Sequence, residues 1–154
     1  MTKIKLIFGS GPRCILVGVL FLTAVYSAEL YLNLPRILIS DFTSELIFGI
    51  SIILTCVALL WALISLPINK RGKELVTHGA FKYVRHPLYA SFLDFFVFGL
   101  AFYFKSYALI FAGFMLFFIC GKLVEKEEEF VVTLFGEKYK EYRKRTKKFI
   151  PGIY

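Results

Sequence analysis

The chain has 154 residues, of which 58% are hydrophobic and 18% aromatic, with a formal net charge of +8 and a mean hydropathy of +0.68. Soluble domains carry roughly 45–50% apolar residues, so this composition excludes an ordinary soluble domain and indicates an integral membrane protein. The charge does not indicate a nucleic-acid partner, because the basic residues flank apolar runs and follow membrane topology.

The first apolar run predicts a span from about Cys14 to Leu34, stopped by Pro35-Arg36; crossing about 30 Å of hydrocarbon takes roughly 20 residues. The run is long and lacks a small-x-small cleavage site, so it reads as a retained span and not a signal peptide. Glu29, near the outer end, is expected to reach the outer interface beside Tyr26 and Tyr31. Ile37 to Glu45 is read as a short outer connection, in which Ser40-Asp41 offers an N-cap and Thr43-Ser44-Glu45 a polar turn. A second span follows from about Leu46 to Leu66, with Trp61 as an interfacial anchor and Pro67 and Asn69 ending the helix. Asn69-Lys70-Arg71-Gly72-Lys73 then turns into a polar loop.

That loop, Lys73 to Tyr89, separates two strongly apolar parts and holds both histidines, His78 and His86. It ends in Arg85-His86-Pro87, and a proline at the first turn opens a helix without losing a needed N–H. The free N–H groups of that helix end would suit an anionic group. A third span runs from Leu88 to Phe104 and a fourth from Tyr107 to about Leu123, joined by Lys105-Ser106 as a tight hairpin. Asp94 falls roughly 10 Å into the third helix at ~1.5 Å per residue, where a carboxylate must face the bundle interior or a wet cavity, or be neutral. Both a structural hydrogen bond and a contact to substrate fit it.

The fourth helix is expected to continue to a C-cap at Gly136. On this extension Glu127 shares a stripe with Leu123, Val124 and Val131, whereas Glu125 and Glu129 fall beside Lys122 and Lys126 as solvated partners. Glu137 to Tyr154 reads as a basic amphipathic helix with Tyr139 and Tyr142 on one side, ending at Ile150-Pro151-Gly152 and held against an anionic leaflet. Basic residues are concentrated before the first span, in the central loop and after Lys122, with only Arg36 and Lys105 on the other side. The positive-inside rule therefore puts both termini and the loop in the cytoplasm. Cys14, Cys56 and Cys120 lie in apolar runs as packing residues, with no spacing for a disulfide framework or a metal site.

The expected architecture is an all-α membrane bundle of about four spans, with a cytoplasmic loop and a C-terminal amphipathic helix, forming one domain over residues 1–154. The hairpin brings Arg85-His86-Pro87 together with Glu127-Glu128. A cationic helix start and an acidic pair suit a zwitterionic ligand with an amino-acid end and a ribose.

The ordered pattern Leu75-Val76-Thr77-x-Gly79-x-Phe81-x-x-x-Arg85-His86-Pro87-x-Tyr89, then Glu127-Glu128 and Phe135-Gly136-x-x-Tyr139-x-x-Tyr142, closely resembles the isoprenylcysteine carboxyl methyltransferase and phospholipid methyltransferase superfamily, over about Lys73 to Pro151. The resemblance implies S-adenosylmethionine as cofactor in residues 73–151 and a lipid-soluble or membrane-embedded acceptor with a carboxylate, thiol or amine nucleophile. It implies cofactor contacts from Lys73, Glu74, Leu75, Val76, Phe81, His86, Pro87, Leu88, Tyr89 and Glu127. Arg85, Glu128 and Asp94 are the candidates for catalytic roles. Some residues depart from the family pattern: Leu123 stands where an arginine partners a substrate carboxylate, Phe81 replaces a tyrosine, Ser91 a glycine, and Asp94 is foreign to it. An NADPH-dependent reductase-like protein and a non-enzymatic membrane scaffold are the competing readings, and the Phe-rich surfaces permit a homo-oligomer.

Overall fold

The computed structural model describes residues 11–67 and 72–153. Lys3, Lys5 and the turn residues Asn69, Lys70 and Arg71 lie outside the described residues. The described chain is helical: α1 (Gly11–Tyr31), α2 (Asp41–Ser65), α3 (Pro87–Tyr103), α4 (Tyr107–Phe135) and α5 (Glu137–Arg145). Helices α1, α2 and α4 are long and apolar enough to cross a membrane. Helix α3 is shorter, at the lower end of the ~17–25 residues a span requires.

Each boundary has a local cause. Ser40 caps α2 by accepting a hydrogen bond from Thr43 N at 3.1 Å, and Pro67 follows its C-cap Leu66. Helix α2 therefore begins at Asp41, and Thr43-Ser44-Glu45, expected as a turn, is helical because the Ser40 cap satisfies the free N–H groups upstream of it. Helix α1 ends at Tyr31, earlier than Leu34, with Asn33 in the left-handed region. Ser106 caps α4 through Leu109 N at 2.9 Å. Gly136, at φ +55°, closes α4 and opens α5, as its place in the sequence predicts.

The buried positions of α4 (Leu109, Ala112, Leu116, Cys120 and Val124) recur every three or four residues, the helical spacing of one apolar stripe. They meet Leu93, Val97 and Ala101 of α3 and Cys14 and Leu22 of α1 in one core. The packing order is α2, α3, α4, α1. Helix α2 buries only Ser44, Ala62 and Ser65, and its Leu46, Ile50, Ile53, Val57, Leu60 and Ile64 are exposed, a surface suited to hydrocarbon. It docks on α3 at Gly99, where a Cβ would overlap Ser51, and through Phe48 against Phe96 and Tyr103.

The two ends of the bundle are distinct. At one, Arg36 bridges to Ser106, and Lys105 Nζ reaches Asp41 Oδ1 at 2.5 Å. Glu29 belongs here, yet it is buried to 2% exposure and accepts a hydrogen bond from Ser106 Oγ. The expectation that it reaches the interface is thus wrong: a hydroxyl from the α3–α4 link supplies the partner that water would have given. At the opposite end the central loop meets the tail, where Val84 bridges to Lys147.

Candidate functional site at the loop, hairpin and tail junction

The central loop is fastened to α2 before it reaches the site. Gly79–Lys82 form a 3₁₀ turn whose Ala80 N–H donates to Ser65 Oγ at 3.1 Å, while Ser65 Oγ donates to Trp61 O at 2.7 Å. Gly79 takes φ +59°, and a Cβ there would overlap Ser65 Oγ, so glycine is required on both counts. The Trp61 and Tyr83 rings pack at a tilt, 5.5 Å apart, beside this contact.

Beyond the turn the chain runs alongside the tail: Arg85 N–H donates to Lys147 O at 2.8 Å and His86 N–H to Lys148 O at 3.1 Å. This pairing aims both side chains at Glu128, which α4 presents at 1% exposure. Arg85 Nε lies 2.7 Å and His86 Nε2 3.1 Å from Glu128 Oε1, and Arg143 Nε of α5 lies 3.5 Å from Oε2. Burial by itself raises the Glu128 carboxyl, but hydrogen bonds and charge from His86 and Arg85 outweigh it and hold the group at about 2. The carboxylate is thus ionised and accepts only, so His86 Nε2 carries the hydrogen.

Arg85 also donates to the carbonyls of Arg143 (3.2 Å) and Thr146, tying loop, α4 and tail into one unit. Tyr142 donates its hydroxyl to Phe81 O at 2.6 Å. Burial, reinforced at Tyr139 by the Glu128 charge, raises the phenols of Tyr139 and Tyr142, so both stay neutral. Phe149, fully buried, packs against His86 at 5.9 Å, Phe117 at 6.2 Å and Tyr89 at 6.4 Å. Tyr89 in turn donates to Glu127 Oε2 at 3.0 Å.

Of the residues singled out in the sequence, Arg85, His86, Tyr89, Glu127 and Glu128 converge, with Pro87 buried beneath them as the first residue of α3. Lys73 and Glu74 are exposed, Leu75 half-buried and Val76 buried in the approach to the 3₁₀ turn. Asp94 stands apart, lining a cavity beside α2. Glu128 is held by the side chains of Arg85 and His86, which precede the start of α3. The tail also differs from expectation: only Glu137–Arg145 is helical, and Lys148 turns inward to Gly121 O and Glu125 Oε1, both at 3.1 Å. Glu125 therefore pairs with the tail and not with the flanking α4 lysines, because the tail carries Lys148 into its reach. Sequence reasoning missed Arg143, Ser65 and Phe149. The signal for Phe149 was an aromatic residue in a tail otherwise dense in Lys and Arg.

The family model described as the isoprenylcysteine carboxyl methyltransferase (ICMT) family matches residues 43–133, more than half of the chain. The chain belongs to this family. Among ICMT relatives it is 31% identical over 80 residues to the protein-S-isoprenylcysteine O-methyltransferase of Dictyostelium discoideum, covering 52% of this chain and 34% of the relative. It is 33% identical over 90 residues to the enzyme of the same name from Schizosaccharomyces pombe, covering 55% and 37%. The chain thus spans about a third of the length of these relatives. ICMT membership and the apolar helices together make it an integral membrane protein. The ICMT match takes in α2, upstream of the expected start at Lys73, and ends before Arg143, Thr146 and Phe149, so the tail's part in the site lies outside the matched residues.

Proposed function

We propose that this protein transfers a methyl group from S-adenosylmethionine to a lipophilic acceptor within the membrane. The observation that carries the reading is the convergence of the two halves of the family pattern, Arg85-His86 from the loop and Glu127-Glu128 from α4, at one end of the bundle. The family match favours neither the nicotinamide-dependent reductase nor the scaffold.

The donor set suits such a cofactor. Glu128 Oε2 is buried and has no hydrogen bond, so it can accept one from an ammonium or a ribose hydroxyl. Lys73–Val76, Phe81, His86–Tyr89 and Glu127 are the residues that would hold the cofactor. Bound there, it supplies a sulfonium-activated methyl group, which needs no nucleophile from the protein. The protein's tasks are then to align the acceptor with that methyl group and to keep water out. Arg85 and His86 keep Glu128 ionised, and Phe149 closes the apolar side. The concentration of basic residues in the loop and tail favours a cytoplasmic placement of that end.

Calorimetric titration of the detergent-solubilised protein with S-adenosylhomocysteine tests this. Saturable binding, weakened at least tenfold by Glu127→Gln and by His86→Ala, is expected. Absence of binding to folded protein, in detergent and again in lipid, would overturn the reading.

A further inference from the structure

Behind Pro87 and Phe149, on the α2 side of α3, lies a cavity of about 370 Å³, within the ~300–1,000 Å³ of small-molecule sites. Leu54, Val57 and Trp61 of α2 and Phe95 of α3 form much of its wall. Among the described residues that line it, Asp94 is the only carboxylate, and there is no Lys, Arg or His. Asp94 Oδ1 is buried without a hydrogen-bond partner. Ser91, one turn earlier, does not serve it, since its hydroxyl donates to Leu88 O at 2.8 Å. Asp94 also sits on a π-helical turn, Ser91–Phe96, a rare distortion that recurs at functional sites.

A carboxylate facing an apolar cavity has neither a charge partner nor a donor, and both deficits are met by one kind of ligand group. We propose that the cavity binds a lipophilic amine in its protonated form, with the ammonium on Asp94 and the apolar body against α2. An anionic head would be repelled by Asp94. The phosphodiester of a bilayer lipid would find no cation in the lining, so an amine without a neighbouring phosphate is specified. Leu54, Val57 and Trp61 are themselves exposed on the outer face of α2, which gives the occupant a lateral route from hydrocarbon. The assignment rests on the methyl-transfer reading only in making this amine the acceptor, which attacks as the free amine once its ammonium proton has passed to the Asp94 carboxylate; Pro87 and Phe149 are shared between the cavity wall and the surroundings of His86 and Tyr89.

The intact chain in detergent is titrated calorimetrically at pH 7 with decylamine, decanol and decanoate, as wild type, Asp94→Asn and Leu54→Trp. Decylamine should bind at least tenfold tighter than either neutral or anionic analogue. Asp94→Asn should abolish that preference and leave decanol binding unchanged, while Leu54→Trp, which fills the cavity, should weaken amine and alcohol together. Circular dichroism establishes that each variant keeps its helices. Equal wild-type affinity for amine and alcohol, or an Asp94→Asn protein that keeps the preference, would overturn the proposal. So would displacement of decylamine by ethanolamine phospholipid but not choline phospholipid, because the occupant would then be a bilayer headgroup. S-adenosylhomocysteine is titrated into the same samples. If it binds and no amine preference is seen, the cavity assignment alone falls; an amine preference without its binding sinks methyl transfer and leaves the amine site standing.

Discussion

Glu128 illustrates at a single residue how opposing effects are resolved by magnitude. Desolvation favours the neutral acid, while the Arg85 and His86 contacts favour the anion and prevail, with the folded value at about 2 against 4.5. A folded value below the unfolded one gives stability that is complete above about pH 4.5 and lost as pH falls from there toward 2. Thermal melts across that window should show a loss that Glu128→Gln removes. At neutral pH the same variant strands the buried Arg85 charge and should cost about 3–5 kcal/mol, read as a lowered Tm. Asp94 predicts the opposite sign: Asp94→Leu removes a buried carboxyl oxygen that has no hydrogen-bond partner, so ligand-free protein should gain about 1–3 kcal/mol in denaturant melts. Phe149→Ala, in contrast, empties a filled position against His86 and Phe117 and should cost about 3–5 kcal/mol.

Among the elements, α2 and the loop depend on two close approaches. Gly79 faces Ser65 and Gly99 faces Ser51, each with no room for a Cβ. Gly79→Ala adds a left-handed residue with a side chain to a steric overlap, so a loss of roughly 1–3 kcal/mol is expected, with the loop lifted from α2. Trp61, the only tryptophan in the chain and packed at a tilt against Tyr83, reports it: its emission should shift and the loop should become susceptible to protease. Gly99→Leu should move the same signal by separating α2 from α3, while the Arg85–Glu128 pair, held by α4 and the tail, stays closed.

For the whole molecule, the bundle is tied at both ends by polar contacts distant in sequence. Glu29 with Ser106 closes one end, and the tail strapped across Arg85 and His86 closes the other. Truncation after Arg145 removes Phe149 and the carbonyls of Thr146, Lys147 and Lys148 that receive the Arg85 and His86 donors. The truncated chain should keep its membrane insertion, because α1, α2 and α4 are unchanged, yet lose S-adenosylhomocysteine binding at least tenfold. Membrane fractionation and calorimetry together check this, and coincident loss of both would mean that the tail is needed for folding itself.

Hydropathy, caps and charge determined the helices, the hairpin, the start of α3 at Pro87 and the C-cap at Gly136, because the period of burial and the limits on φ at Pro and Gly act within a few residues. The motif residues Arg85, His86, Glu127 and Glu128 were likewise legible as two short groups joined by a hairpin of defined length. What only the tertiary structure decided are the partners: Glu29 with Ser106, Lys148 with Glu125, Arg143 beside Glu128, and Phe149 in the core. A buried polar or charged group takes whichever complementary group the fold carries to it, and the chain separating the two leaves no local periodicity to reveal the choice. The same reason placed Asp94 within an apolar cavity whose far wall belongs to α2.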